Sequence, residues 1–573
     1  MLRVSAVLML VSLVALAGNL NPVTVLPNEW QHNDAEVQSK AAPAVSEPAG
    51  PQFIIGDLDT VGGSTYDWMA NGPIYRFICN SPPYGIHVLW MYSASTSGTT
   101  FPDRNMRYNF FDYNTGTWNW IDPDYMASGV NVFTDRSGYG SLDADPASGV
   151  AVCTRHYGTG TLSPGLARDM APGAGIFEYC PGPSGYLWPP LGVGQDGKFH
   201  MAMMDDPSRV DIYYNNVATW CNWGTPQVFY PDPNAFPTHN ITASKVSQKV
   251  CVAWVTGSGP YDAFYNISTD GGTSWLGETQ LPAPPAYGGD TVTSFHITSA
   301  FPYYDRHDRL HIVVDVMPFV AGQGYVIPAD IWHWCPDNTP NWSRIHRATC
   351  DPNNLRAAVG YNALYACRPS IGEDRYGGLY VAWEQFDSVN VEPTTNLLRA
   401  DIFYAQDNGD NGQTWRQAIK LTDGGAGSRR FPSCVDYLSD DSLWVIYEID
   451  GIAGFYVQGQ GAVTRNPIVV QKVPVVVGIK AEPEEIPRVL SLSASPNPFR
   501  QNVMLSYALP RTGAVELVIY DLSGRPVASL VNGSVPAGRH AATWNASGLA
   551  PGVYITKLSA NGEVLTQKLV LTQ

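Results

Sequence analysis

Residues 261–275 read YDAFYNISTDGGTSW, and residues 401–415 read DIFYAQDNGDNGQTW. In each, an aromatic and β-branched run suited to a strand is followed by Asp, Asn and Gly, and then by a single tryptophan. The carboxylate can accept backbone N–H bonds downstream, the glycines can take positive φ, and the tryptophan can fold back over the turn. The pattern predicts strand, tight turn, strand. Related phrases are MRYNFFDYNTGTWNW at 106–120 and VDIYYNNVATWCNW at 210–223, with IWHWCPDNTPNW at 331–342 a looser member. A second phrase precedes them: IHVLW at 86–90, VCVAW at 250–254, LHIVV at 310–314, LYVAW at 379–383 and LWVIY at 443–447.

The two phrases alternate at roughly 50–70 residues, room for about four short strands per unit. A four-stranded unit cannot bury both faces alone, so neighbours must stack. Radial stacking predicts an all-β fold, a multi-bladed β-propeller over 52–470. About seven units fit, near 70–120, 140–180, 195–225, 241–280, 294–350, 362–420 and 429–470. The second lacks the tryptophan turn, which leaves six or eight open, and a pair of β-sandwiches is the alternative architecture. Composition agrees with short strands and turns: of 573 residues only 15% are charged, with 54 Gly, 45 Pro, 31 Tyr and 17 Trp. The net charge of -17 argues against nucleic acid as a partner.

Ser268-x-Asp270-x-Gly272-x-Ser274-Trp275 resembles the Asp-box of sialidase-like (BNR-repeat) propellers. Asn408-x-Asp410-x-Gly412-x-Thr414-Trp415 matches it with Asn in the leading place. The resemblance implies structural turns at the outer edge of the sheets, away from a central pocket. The same family's chemistry uses three arginines, a tyrosine–glutamate nucleophile and an aspartate. Tyr75-Arg76-Phe77-Ile78 is the nearest segment to the leading arginine strand but lacks its proline, and no catalytic residue is carried over.

Residues 1–17, MLRVSAVLMLVSLVALA, have the form of a cleaved signal peptide, followed by a Pro/Ala/Glu-rich linker at 18–51. The mature chain is then expected to have no transmembrane segment. Outside the cytoplasm nine cysteines are free to oxidise. Cys335 and Cys350 bracket a polar loop and are the expected disulfide; the others sit singly, several inside strand-like runs. In DRHDRLH at 305–311, Asp305, His307, Asp308 and His311 are metal-capable by type, but hairpin capping is the expected role. Asp143, Asp145 and the 407–412 turn offer oxygen ligands of the kind calcium uses, without EF-hand spacing, so a structural calcium is the only cofactor that the sequence suggests.

After a linker at 471–487 the pattern changes. Residues 488–573 hold seven basic residues against three acidic ones, and their strands alternate, as at Val515, Leu517 and Ile519. The segment resembles the C-terminal (type A) sorting domain of type IX (Por) secretion substrates and the related FlgD-type Ig-like module. The resemblance runs through Pro496-Asn497-Pro498-Phe499, Tyr520-Asp521-x-x-Gly524-Arg525, Gly538, Trp544, Gly552-x-Tyr554 and Lys568. It implies a small Ig-like sandwich, the type IX secretion machinery as partner, and a destination outside the cell or on the outer-membrane surface.

For the propeller, three readings stay open. Dense Trp and Tyr suit a non-enzymatic glycan-binding or adhesion module. A polysaccharide hydrolase or lyase would instead need converging carboxylates. Asp57, Asp59, Asp205, Asp206, Asp374 and Glu384 are scattered candidates. A purely structural envelope protein is the third.

Overall fold

The computed structural model describes residues 55–475 and 490–572, apart from 71, 99, 159, 232–237, 257–261, 286–293, 321–322, 352–353, 423, 511–512, 536–537 and 561. The signal peptide at 1–17, the linker at 18–51 and most of the linker at 471–487 lie outside the described residues. Contacts divide the chain into two units, Met1–Gly478 and Ile479–Gln573.

The described part of the first unit is built from seven sheets of mainly antiparallel strands. Their innermost strands are Ile78–Ser81, Leu142–Ala144, Leu191–Val193, Thr238–Ala243, Ser294–Tyr304, Ala366–Asp374 and Ser428–Cys434. Each touches the next in this order, and the seventh touches the first, so the sheets form a closed ring. This is the propeller that the alternating phrases predict.

The seventh sheet joins the two ends of the unit. Behind Ser428–Cys434 lie Ser442–Asp450, then Asn466–Pro474, then the first strand of the unit, Asp57–Ser64. Asp57 pairs with Lys472 and Ser64 with Asn466. The last strand therefore continues to Pro474, into the stretch read as a linker from 471, because it is paired on both sides over that length.

The second strand of each sheet is covered on both faces, which is why it reads as a nearly continuous apolar run. Gly85–Tyr92, Val250–Val255 and Ser442–Asp450 are almost wholly buried. Three of the phrases carry a polar ring at their second place, His87, His311 and Tyr380, and His200 holds the same place in FHMAM at 199–203. Each ring is hydrogen-bonded to the neighbouring third strand. His87 Nδ1 lies 2.7 Å from Tyr108 Oη, His200 Nδ1 2.8 Å from Tyr214 Oη, and His311 Nδ1 2.8 Å from His333 Nε2. Gln406 Nε2 donates to Tyr380 Oη at 2.8 Å. Within each buried pair the facing polar atoms satisfy one another, while His200 Nε2 has no hydrogen-bond partner among the described residues.

The turn at 268–275 sits on one of these pairs. Asp270 Oδ1 accepts from the backbone of Thr273 and Ser274 at 3.1 and 2.8 Å, and Ser268 Oγ accepts from Gly272 N at 2.8 Å. Trp275 packs edge-on against Tyr214 and Phe229 of the preceding sheet, with centroids 4.7 and 4.5 Å away. At 407–415, Asp407 Oδ2 accepts from Gly412 N at 3.0 Å, and Trp415 lies edge-on to His333 at 5.5 Å.

The expected disulfide is corrected. Cys180 is bonded to Cys221, and Cys335 and Cys350 are free thiols. The strands flanking the 335–341 loop pair along their whole length, Trp334 with Trp342 and Ala329 with Ala348. Cys335 thus lies at the turn and Cys350 beyond the far end of the hairpin, whose length of about 20 Å at roughly 3.4 Å per residue stands between them. Cys180 and Cys221 lie instead at the outer edges of the second and third sheets.

The second unit has a three-stranded and a four-stranded sheet. Phe499, Leu505, Leu517, Ile519, Trp544 and Tyr554 meet in one core. Its motif residues have local work. Asn497 receives Val570 N on its side-chain oxygen and donates to the Lys568 carbonyl, tying the opening segment to the last strand. Phe499 packs on Trp544, and Trp544 on Tyr554, with centroids 5.6 and 5.2 Å apart. Asp521 Oδ1 accepts from Ser523 N and Arg525 N, and Gly524 takes φ +80, which closes the 521–525 turn. Gly538 and Gly552 begin strands.

Candidate functional site: the two ends of the central ring

The innermost strands run side by side in one direction, so the ring has an end where they start and an end where they finish. Both ends concentrate chemistry.

At the finishing end, Asn80, Asp143, Ala243, Tyr303, Glu373 and Asp436, with Arg76 and Lys245, line a cavity of about 390 Å³. Lys245 Nζ is held by Asp143 at 2.8 Å and by the carbonyls of Ala144 and Val193. Asp436 Oδ1 accepts from Asn80 N at 2.8 Å. Glu373 Oε1 accepts from Arg306 N at 2.6 Å and from Tyr303 Oη at 3.1 Å, while its Oε2 has no partner among the described residues. Burial, helped by the charge of Asp305, pushes the Glu373 carboxyl up to about 8, so it is protonated at neutral pH. Arg76 reaches from the first sheet towards the fifth, its guanidinium 5.4 Å from the Phe301 ring and 5.7 Å from that of Tyr303.

At the starting end, a second cluster joins several sheets. Tyr66 and Tyr139 bring their hydroxyls to 2.6 Å, and Arg104 Nη1 donates to Tyr66 Oη at 3.2 Å. The Arg104 guanidinium lies over both rings. His156 is 5.2 Å from the Tyr139 ring. His239 Nε2 bonds the Trp188 carbonyl at 2.8 Å, and Arg209 lies over Trp188. Burial lowers His239 to about 4, which keeps it neutral.

Backbone strain marks this end. Eleven described non-glycine residues have positive φ. All the aromatic residues and arginines among them are here: Phe101, Tyr139, Trp188, Arg209, Arg368 and Phe431. The last two are clamped by Glu384, which is ion-paired to Arg368 and Arg430 and accepts from Phe431 N at 2.7 Å. Although burial alone would raise it, these guanidiniums hold the Glu384 carboxyl below its ordinary value.

The carboxylates singled out by sequence do not converge. Asp57 and Asp59 lie on the outermost strand of the seventh sheet. Asp205 and Asp374 cap turns through Val210 N, Asp211 N, Tyr376 N and Gly378 N, and Asp206 accepts from Leu162 N. Glu384 is the buried clamp. In DRHDRLH, Asp305 accepts from His307 N and Arg309 N and closes a hairpin, with His311 on the next strand, as expected. No group of three metal-capable side chains is found among the described residues. The turns at 268–275 and 408–415 follow third strands, which run parallel to the innermost ones. They therefore lie at the finishing end, yet no residue of either lines the cavity. Nothing in the sequence marks Tyr303, Glu373, Asp436 or the tyrosine pair, whereas YRFI at 75–78 points to Arg76.

Residues 493–572 match the family model of the secretion system C-terminal sorting domain. The C-terminal unit is a type IX sorting domain. The protein is accordingly a substrate of the type IX secretion machinery, secreted or attached at the outer-membrane surface. No helix of the described residues is long and apolar enough to cross a membrane. No curated protein matches the chain. Solved structures resemble it at low identity. A PL25 ulvan lyase is 11% identical with a TM-score of 0.42, over 72% of this chain and 99% of its own. A Penicillium chrysogenum α-L-arabinanase complexed with arabinobiose is 12% identical with a TM-score of 0.36, over 63% and 96%. The NanB sialidase of Streptococcus pneumoniae is 11% identical with a TM-score of 0.37, over 73% and 70%. No site residue is transferred from them.

Proposed function

We propose that the exported propeller recognises an acidic extracellular polysaccharide at the starting end of its ring. The observation that carries this reading is the gathering there of the strained arginines and aromatic residues. Each bulky residue with positive φ costs about 1 kcal/mol or more, and such strain concentrates where geometry serves a ligand. Aromatic faces suit sugar rings, and a guanidinium suits their carboxylate or sulfate groups, a role for Arg209 and not for Arg368, which Glu384 already pairs. Arg209, half-buried, stands at the margin of the cluster over the covered Trp188. Binding, rather than turnover, is the primary reading, because the scattered carboxylates do not form an acid/base pair there.

One specific observation favours a second reading, eliminative cleavage of the same polymer. The Tyr66–Tyr139 hydroxyl pair at 2.6 Å, with Arg104 and His156 beside it, has the parts of a proton relay. A glycan array run beside a depolymerisation screen decides. Retention of anionic polymers without product, lost in Arg209→Ala, supports binding. Product release abolished by Tyr139→Phe establishes the lyase reading. No retention of any anionic polymer defeats both.

A further inference from the structure

The cavity at the finishing end is not explained by polymer recognition at the starting end. Three observations define what it would hold.

The first is an unanswered donor. Arg76 carries five N–H groups, and no hydrogen bond from its side chain is found among the described residues; Nη1 is buried without a partner. Its contacts are with ring faces, which leave the N–H edge unused. The second is an unanswered carboxyl. Glu373 is 3% exposed, and its Oε2 has no acceptor or donor. Buried polar groups of this kind are normally satisfied, by protein, water or ligand.

The third is charge. Arg76 lies in the field of Asp436 and Asp143, and Asp143 is already paired with Lys245. Asp305 is answered by Arg309 at 2.6 Å. Glu373 is neutral. Asp145 and Arg306 add one charge of each sign to the lining, so the cavity is polar with its formal charges matched. An added anion would meet Asp436, and an added cation would meet Arg76. A neutral molecule carrying both donors and acceptors leaves the balance undisturbed. The walls suit such a molecule, because Tyr84, Tyr437 and the Pro82–Pro83 pair line the mouth with ring and aliphatic surface. The volume of about 390 Å³ lies within the roughly 300–1,000 Å³ of small-molecule sites.

We infer that this cavity is a second binding site, for a neutral sugar of one or two residues, held by Arg76, Glu373 and Asp436 through its hydroxyls and by the tyrosines through its ring faces. The site stands apart from the polymer-binding cluster and does not depend on it.

The mature full chain is titrated calorimetrically with neutral methyl glycosides and disaccharides, with glucuronate and acetate alongside. Saturable binding of at least one neutral sugar in the millimolar range is expected, with glucuronate and acetate weaker. Arg76→Gln should weaken it about tenfold, equivalent to about 1.4 kcal/mol. Glu373→Gln, which keeps a neutral group of the same shape, should weaken it less. Arg209→Ala at the other end should leave it unchanged. A second readout needs no variant. Tyr84 is 41% exposed, and the bound sugar should protect it from nitration, read by mass spectrometry. Glucuronate or acetate binding better than every neutral sugar would overturn the inference. So would undiminished binding by a folded Arg76→Gln protein, or saturating sugar that leaves Tyr84 nitration unchanged.

Discussion

Gly272→Ala tests whether the 268–275 turn is a structural fastening between sheets. Gly272 has φ +77, and an added Cβ would lie 1.7 Å from Tyr214 Oη. That hydroxyl is the partner of buried His200 Nδ1 at 2.8 Å. Alanine in the left-handed region costs about 1 kcal/mol. Displacing the hydroxyl leaves a buried donor–acceptor pair unmade, at about 1–3 kcal/mol. The sum is about 3 kcal/mol. Gly271→Ala is the internal control. Gly271 has φ +67, so the backbone cost is similar, but its nearest new neighbour is Lys198 Nζ at 2.6 Å, the end of a flexible chain. Its cost should be about 1 kcal/mol. Urea unfolding of the mature chain, followed by tryptophan fluorescence, measures both. In a Tyr214→Phe background the penalty of Gly272→Ala should shrink by about 1 kcal/mol, because the displaced hydrogen bond is already absent. Equal destabilisation by the two alanine variants would refute the reasoning.

Four further outcomes follow from the structure. Alkylation of the unfolded, unreduced protein should label seven of its nine cysteines, and labelling of eight or more would exclude the Cys180–Cys221 bond. Removing that bond by Cys180→Ser frees the unfolded chain from a loop across a sequence separation of 41 and should cost about 4 kcal/mol in denaturant unfolding. Stability should fall as pH rises from about 6.5 to 8. Burial lowers His87 to about 3 and His200 to about 4, so the unfolded chain takes up protons below about 6.5 that the folded chain refuses. Burial raises Asp67 to about 7 and Glu373 to about 8, so the folded chain keeps protons that the unfolded chain has released, and stability falls as pH rises through that range. A melting temperature that rises steadily from pH 6 to 9 would contradict this. Deleting 488–573 should hold the propeller inside the outer membrane, read by cell fractionation, and normal surface or medium levels would show that the unit is dispensable for export.

The ring was legible because its two phrases are local and periodic. An apolar second strand and a glycine turn capped by tryptophan each fit within fifteen residues. The ends of the ring were not legible for the opposite reason. Arg76, Asp143, Tyr303, Glu373 and Asp436 come from five different sheets, and nothing in their spacing marks them as neighbours. The conspicuous acids misled because Asp205 and Asp374 are conspicuous as turn formers, which is what they are. The disulfide failed on the same distinction. Cys335 and Cys350 flank a loop, but they also flank a paired hairpin that holds them at its two ends. Cys180 and Cys221 come together only when two sheets stack. The histidine at the second place of IHVLW and LHIVV was visible, and only the partner on the next strand shows why it is there.

The pairing of Asp57–Ser64 with Asn466–Pro474 has a consequence for biogenesis. The ring cannot shut until residue 474 has been synthesised, and the export address begins only after that point. A chain interrupted during translation therefore lacks the address whenever it lacks the closing strand. An incomplete ring thus goes unaddressed without any separate inspection of its fold.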